Sequence, residues 1–155
     1  MGVNSYIYSK DGLTLTERFE GCVLTAYRDQ VGVLTIGYGH TGPDVHEGLT
    51  IAQAQAEALL AKDVQNAAAC VNRAVTIALT QCEFDALVDF VFNLGAGAFE
   101  GSTLLKELNA NDMSVAASQF EHWDHAGGAV VAGLLRRRQA EAQLFGAGTS
   151  TLRSA

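Results

Sequence analysis

The chain has 155 residues, 48% of them hydrophobic, and 17 acidic against 10 basic side chains give it a net charge of −7. Such a length suits one domain that buries about 68–70% of the surface its unfolded form exposes, and the negative balance argues against a sequence-independent nucleic-acid binder, because phosphate would be repelled. Three irregularly spaced cysteines, Cys22, Cys70 and Cys82, fit neither a disulfide framework nor a zinc cage and read as small apolar packing residues.

Met1 to Tyr8 carry no basic start and no apolar run, so no signal peptide is expected. No later stretch reaches the roughly 18 uninterrupted apolar residues of a membrane span. Ser9 is placed to cap a helix through Leu13, Leu15 and Phe19 to Glu20, with Asp11 near its positive end and Gly21 after its last residue. From Ala26 to His40 the pattern changes to short runs of Thr, Val, Ile and Tyr around Gln30-Val31-Gly32, the signature of a β-hairpin. Alternation assigns Val33 and Thr35 to one face and Leu34, Ile36 and Tyr38 to the other. Gly37 and Gly39 remove side chains where a ligand or another backbone comes close. Thr41-Gly42-Pro43-Asp44 is turn chemistry.

Thr50 and Gln53 form a capping-box pattern, and Leu60, Val64, Ala67 and Val71 then recur at helical spacing, which predicts one long helix. Thr80 and Glu83 repeat the box ahead of Phe84, Leu87, Val88, Val91 and Phe92, the clearest core helix in the chain. Asn93 to Gly97 end it. Ser102 caps a short helix through Leu105 and Leu108, and Asp112 caps another that carries Val115, Ala116, Phe120 and Trp123. Ala126-Gly127-Gly128 breaks that one, and a last helix is expected from about Gly133 to Phe145, before a frayed Gly/Ser/Thr tail over 146–155. Arg136-Arg137-Arg138 reads as a solvated, cleft-facing helix side. The fold class is α+β, mostly helical, in a single domain without internal repeats.

Within the Glu20–His40 stretch, Glu20, Asp29 and Thr35 stand in the spacing E-x8-D-x5-T. A carboxyl at a helix end and another on a facing hairpin suit acid-catalysed glycoside hydrolysis. The spacing alone is common by chance, and the flanks give it weight. Phe19-Glu20-Gly21, Ala26-Tyr27-Arg28-Asp29, Gly32 and Thr35 to Thr41 closely resemble the catalytic segment of phage-type lysozymes, glycoside hydrolase family 24. Further matches run through Leu79-Thr80-Gln81, Phe84 to Leu87, Phe92 to Gly95, Ser102 to Leu105, Trp123, Ala126 to Gly128 and Gly133 to Arg138, covering roughly residues 9–145.

This resemblance implies a lysozyme-like fold in which a small hairpin-bearing catalytic lobe, about residues 9–60, is joined by a long helix to a helical lobe, about 61–145. It implies an endolysin hydrolysing the β-1,4 bond between N-acetylmuramic acid and N-acetylglucosamine in peptidoglycan. Glu20 would be the general acid, with Asp29 and Thr35 activating a water. Phe92 and Ser102 match positions that line the sugar cleft. No cofactor or metal is called for. The implied protein is a monomer that does not bind nucleic acid, is stored in the host cytoplasm and reaches the periplasmic wall only after a separate holin-like protein permeabilises the membrane.

Other chemistry is weaker. His40 has no serine or cysteine nucleophile motif near it and reads as a structural residue fixing the hairpin end. Cys22 lies two residues from Glu20 but has no matched base. His122 and His125 share a helix face without a third ligand, and Trp123 reads as core. Two rivals stay open: a lytic transglycosylase, which needs one acid and leaves an anhydro end, and a non-catalytic wall-binding protein on the same scaffold. The filled Asp29 and Thr35 positions favour the hydrolase.

Overall fold

In the computed structural model, which describes residues 2–126 and 128–153, Ser9 opens helix α1 (Lys10–Glu20) by accepting from the Gly12 N–H, and Gly21 at φ 68° closes it. The Ser9 hydroxyl also donates to Asp85, which ties the start of this helix to the centre of the molecule. Strands β1 (Val23–Arg28) and β2 (Leu34–Gly37) pair antiparallel, Tyr27 opposite Thr35 and Arg28 opposite Leu34. The hairpin therefore begins three residues earlier than the sequence pattern suggested. Its strict two-face alternation also fails, because Thr35 and Ile36 are both buried. Helix α2 (Gln53–Asp63) packs against β2, so this strand is covered where a free hairpin would face water.

Thr50 is not the cap of α2. It bridges to Thr25 as an added strand residue, and the helix starts after Ala52, whose N–H donates to the Gln55 side chain at 2.7 Å. The helical course continues as α3 (Gln65–Ala74), with one interruption at Val64. Val64 keeps right-handed helical angles, and its neighbours' 1–4 bonds persist on both sides, from Val64 N–H to Leu60 and from Ala68 N–H to Val64.

Helix α4 (Gln81–Leu94) forms as expected, with Thr80 and Glu83 exchanging both bonds of the capping box. It is buried on every side from Glu83 to Val91. That includes Asp85 and Asp89, so the helix is a core element studded with acids rather than a simple amphipathic one. A short α5 (Ala96–Glu100), not anticipated from the sequence, follows Gly95. Then come α6 (Thr103–Asn109), capped by Ser102, and α7 (Met113–Gln119), capped by Asp112, which runs into a 3-10 turn at Phe120–Trp123. Strands β3 (His125–Ala126) and β4 (Ala129–Val130) form a second, minute hairpin where a break was expected; Gly127 lies outside the described residues. Helix α8 (Ala132–Arg153) is longer than the sequence suggested and continues past Phe145 through most of the stretch expected to be a frayed tail.

Helices α1, α3 and α8 all pack on α4. Phe90 meets Phe99, Phe120 and Trp123 in edge-on contacts with centroids 6.1, 5.7 and 5.7 Å away, the geometry that aromatic quadrupoles favour. Trp123 thus belongs to the core as expected, at its half-buried margin. Because the capping box satisfies two N–H groups at the start of this central helix, Thr80→Ala should lower stability by about 1 kcal/mol. A denaturant melt would show it as a lower midpoint with unchanged slope.

Candidate active site

Glu20 is the last residue of α1, and its side chain remains 22% exposed. Arg137 on α8 donates to its carboxylate at 3.0 Å. Opposite that contact lies the tight turn after β2, where Ile36 and His40 exchange both backbone hydrogen bonds around Gly37 and Gly39. Both glycines have positive φ, at 66° and 85°. A side chain at position 39 would place its Cβ 3.8 Å from the Glu20 carboxylate, and one at position 37 would press on Ala56 at 3.3 Å. These glycines let the hairpin's end approach helices α1 and α2 closely.

Asp29 sits at the hairpin turn, half-buried. One carboxylate oxygen accepts from the Val31 and Val33 N–H groups at 3.0 and 2.9 Å. Its backbone bonds to Val33 and Gly32 close the same turn. The second oxygen takes no hydrogen bond among the described residues, so Asp29 is held rigidly yet keeps a free acceptor. Thr35, on the partner strand, lies opposite Tyr27, two residues before Asp29. Thr35 is only 4% exposed and its hydroxyl donates to the Val33 carbonyl at 2.9 Å.

The arginine run departs most from expectation. Arg137 and Arg138 are 4% and 0% exposed, so two of the three guanidinium groups are core residues and not a solvated face. Arg137 grips Asp89 through two parallel bonds of 2.9 Å and reaches Glu20 with its remaining nitrogen. Thr16 donates to Asp89 at 2.7 Å, and the Tyr8 hydroxyl meets Thr16 at 2.7 Å. Burial works to raise Asp89, but bonds from Glu141, Arg137 and Thr16 outweigh it and hold this carboxyl below the usual range. For Arg137, burial is likewise outweighed, by Asp89 and then Glu20, and its cation is held more firmly than in water. Glu141 is pushed above the usual carboxyl range by burial first and then by Asp89 beside it, against the opposing pull of Arg138 and Arg137. Arg138 bonds Asn93 and Glu141 at 2.8 and 2.9 Å and lies 5.2 Å from the Phe90 ring centroid. Burial nevertheless lowers its affinity for a proton.

His40 closes the turn after β2 through its backbone and is held by two carboxylates. Its ring nitrogens bond Asp63 on α2 at 2.7 Å and Asp44 in the following turn at 2.9 Å. Phe92 is half-buried and lines a small hollow of about 190 Å³ with Asp63, Asn66 and Ala96. Ser102 is buried, its hydroxyl donating to the Phe99 carbonyl at 2.6 Å and accepting from the Leu105 N–H, so its observed work is to cap α6. Cys22, Cys70 and Cys82 are free thiols. His122 bonds Gln119, and His125 pairs with Asp124.

The family model for phage lysozyme matches residues 17–141. The chain belongs to the phage lysozyme family. The endolysin of Acyrthosiphon pisum secondary endosymbiont phage 1 is 43% identical over 141 residues, covering 88% of this chain and 96% of that protein. The endolysin of Bacillus phage PZA is 44% identical over 143 residues, 91% of this chain; the chain spans only about half of that relative, 55% of its length. Among solved structures, the endolysin from Escherichia coli O157:H7 phage FAHEc1 superposes with a TM-score of 0.86 at 37% identity, covering 92% of this chain and 94% of that one.

Sequence reasoning missed Asp89, Glu141 and Thr16 as supports of the Glu20 region. The available signals were acids at positions 85 and 89 inside an apolar helix, and a glutamate four residues after Arg137.

The His40 contacts carry a pH signature. Burial lowers the imidazole's proton affinity, but the bonds to Asp63 and Asp44 outweigh it and the net shift is upward. A raised folded-state value means the contribution to stability is fully present below the unfolded value of about 6.5 and fades as pH rises through the folded one. Relative to His40→Asn, the native protein should therefore gain more stability at pH 5.5 than at pH 9, measured by denaturant melts. Equal differences at both pH values would show that His40 is not charged in its two-carboxylate clamp.

Proposed function

We propose that this chain is an endolysin, an N-acetylmuramidase that hydrolyses the β-1,4 bond between N-acetylmuramic acid and N-acetylglucosamine in bacterial peptidoglycan. The observation that carries the reading is the pair of anchored, partly exposed carboxyls in a phage lysozyme family chain: Glu20 fixed by Arg137, and Asp29 fixed by two backbone amides. Glu20 delivers its proton to the glycosidic oxygen as the C1–O bond breaks. A water attacks C1 from the opposite face and loses a proton to the free oxygen of Asp29. The Thr35 hydrogen is committed to the Val33 carbonyl, so this hydroxyl orients the water as an acceptor. One water is consumed and the anomeric centre inverts.

Phe92, beside its small hollow, and Ser102, at the cap of α6, are the substrate-cleft residues of this reading. The chain works as a monomer without cofactor. Among the described residues no helix is long and apolar enough to cross a membrane, and access to the wall is assigned to a separate holin-like protein that permeabilises the inner membrane.

Glu20→Gln should cut lysis of permeabilised Gram-negative cells by at least about 10²-fold, since general acid catalysis commonly contributes 10² to 10⁴, while the circular dichroism spectrum stays native. Asp29→Asn should be severely impaired as well. Wild-type-like lysis by a folded Glu20→Gln protein would remove Glu20 as the acid. Product analysis separates the reading from a transglycosylase: reducing ends are expected, and anhydro ends would reject hydrolysis. Proton NMR during early turnover should show the α-anomer first, and a β-anomer first would reject inversion.

A further inference from the structure

The chain carries a surplus of acid, 17 acidic against 10 basic side chains, so a guanidinium left without a carboxylate stands out. Arg28 and Arg73 pair with Glu47 and Glu100 on the surface, and Arg137 and Arg138 pair with Glu20, Asp89 and Glu141 inside. Arg18 on α1 and Arg136 on α8 are different: both are exposed, and neither forms an ion pair among the described residues. Both line one hollow of about 540 Å³. That volume falls within the roughly 300–1,000 Å³ of ligand sites.

Among the described residues no acid lines this hollow. The Phe19 ring carries the Arg18 guanidinium 4.9 Å from its centroid and that of Arg137 at 5.8 Å. Cation–π contact of this kind steadies Arg18 without neutralising its charge. Arg136 lies near Gly133, where a Cβ would sit 3.8 Å from its guanidinium. Val131 and Leu134 contribute apolar wall, and because the hollow opens at the first turn of α8, the helix dipole adds to the positive field of the arginines. Arg137 also lines the hollow, and it is the side chain that donates to Glu20 at 3.0 Å. The hollow and the candidate acid therefore share one guanidinium.

We propose that this hollow is a subsite for the acidic stem peptide of peptidoglycan, in which Arg18 and Arg136 grip a free peptide carboxylate while Phe19, Val131 and Leu134 receive alanine methyl groups. This rests on the reading of the chain as a muramidase. In that substrate the peptide hangs from the lactyl ether of N-acetylmuramic acid, the same sugar ring whose C1–O bond breaks beside Glu20. A site one side chain away from Glu20 is where the peptide begins. The fork of a guanidinium matches a carboxylate with two parallel bonds, whereas the neutral sugar ring offers it no counter-charge. A net charge of −7 gives the chain no overall attraction to an acidic wall, and the unpaired arginines supply that attraction locally. Both are specificity residues that touch the peptide and not the reacting atoms.

The experiment compares the full native chain with Arg18→Gln/Arg136→Gln and with Lys10→Gln/Lys106→Gln, which removes two positive charges from exposed positions elsewhere. Each is assayed on soluble glycan strands bearing native stem peptides and on the same strands with their peptide carboxylates converted to methylamides. On native strands the arginine variant should show a KM raised about tenfold, the low end of what a hydrogen bond to a charged group contributes, with the loss in KM and not in kcat. On methylamidated strands the native protein should lose about the same factor, so that the difference between it and the arginine variant disappears. The lysine variant should follow the native protein on both. A native KM for the arginine variant on native strands overturns the proposal, as does an equal loss on both kinds of strand or a lysine variant as impaired as the arginine one. Calorimetric titration with a soluble disaccharide-peptide and its methylamide reads binding without turnover: both the arginine substitutions and the methylamide should weaken it about tenfold. If the native protein releases reducing ends from neither strand, the muramidase reading fails, and the titration alone then decides the subsite: charge-dependent binding through the two arginines upholds it, and equal binding by the variant overturns it.

Discussion

A cation inside the protein, Arg137, is the constraint on which the rest of this structure depends. Taking a guanidinium out of water costs several kcal/mol unless its charge and its N–H groups are met. They are met by residues from three parts of the chain: Asp89 on the central helix, Glu20 at the end of the first, and Glu141 one turn further along its own. The pairing fixes how α1, α4 and α8 dock, because the planar fork of arginine accepts few arrangements of carboxylate oxygens. Aliphatic packing alone leaves more freedom of rotation and slide. Here the geometry of the candidate acid and the docking of the core helices are set by the same bonds.

That coupling explains why the central helix tolerates acids. Asp85 bonds Ser9 and Gln81, Asp89 bonds Thr16 and Arg137, and Glu83 closes the capping box at Thr80. Each buried charge has its partners, so α4 combines a hydrophobic interior with polar ties to the chain's start and its last helix. The aromatic group around Phe90 supplies the apolar burial, and the polar ties specify orientation. On the other side of Glu20, the hairpin is fastened by a different set: the Ile36–His40 turn, the His40 clamp between Asp44 and Asp63, and strand β2 against α2. Glu20 and Asp29 thus belong to separately anchored units whose separation is fixed by the fold between them.

Much of this was legible in the residues. Ser9, Thr80, Ser102 and Asp112 are caps in the structure because a side-chain oxygen before an apolar-periodic run meets the N–H groups that no helix can satisfy internally. The hairpin followed from its glycine-bearing turn and β-branched flanks. Thr50 misled because a threonine followed by a glutamine fits a capping box as well as a strand residue, and the decision lay with Thr25, a partner 25 residues away in sequence. The end of α8 misled because small polar residues lower helix propensity without forbidding the helix.

What the sequence determined by itself is local: where helices start, where the chain turns, and, through the spacing of Glu20, Asp29 and Thr35 with their flanks, the family and the residues on which to look for chemistry. Tertiary structure alone decided the fate of the arginine run, since nothing in three consecutive arginines tells which is exposed. Arg136 faces water while Arg137 and Arg138 enter the core, because one position on α8 faces Glu20 and Asp89 and the next faces Asn93 and Phe90. The partners lie 48 and 117 residues away in sequence, a distance over which charge complementarity leaves no local pattern to read.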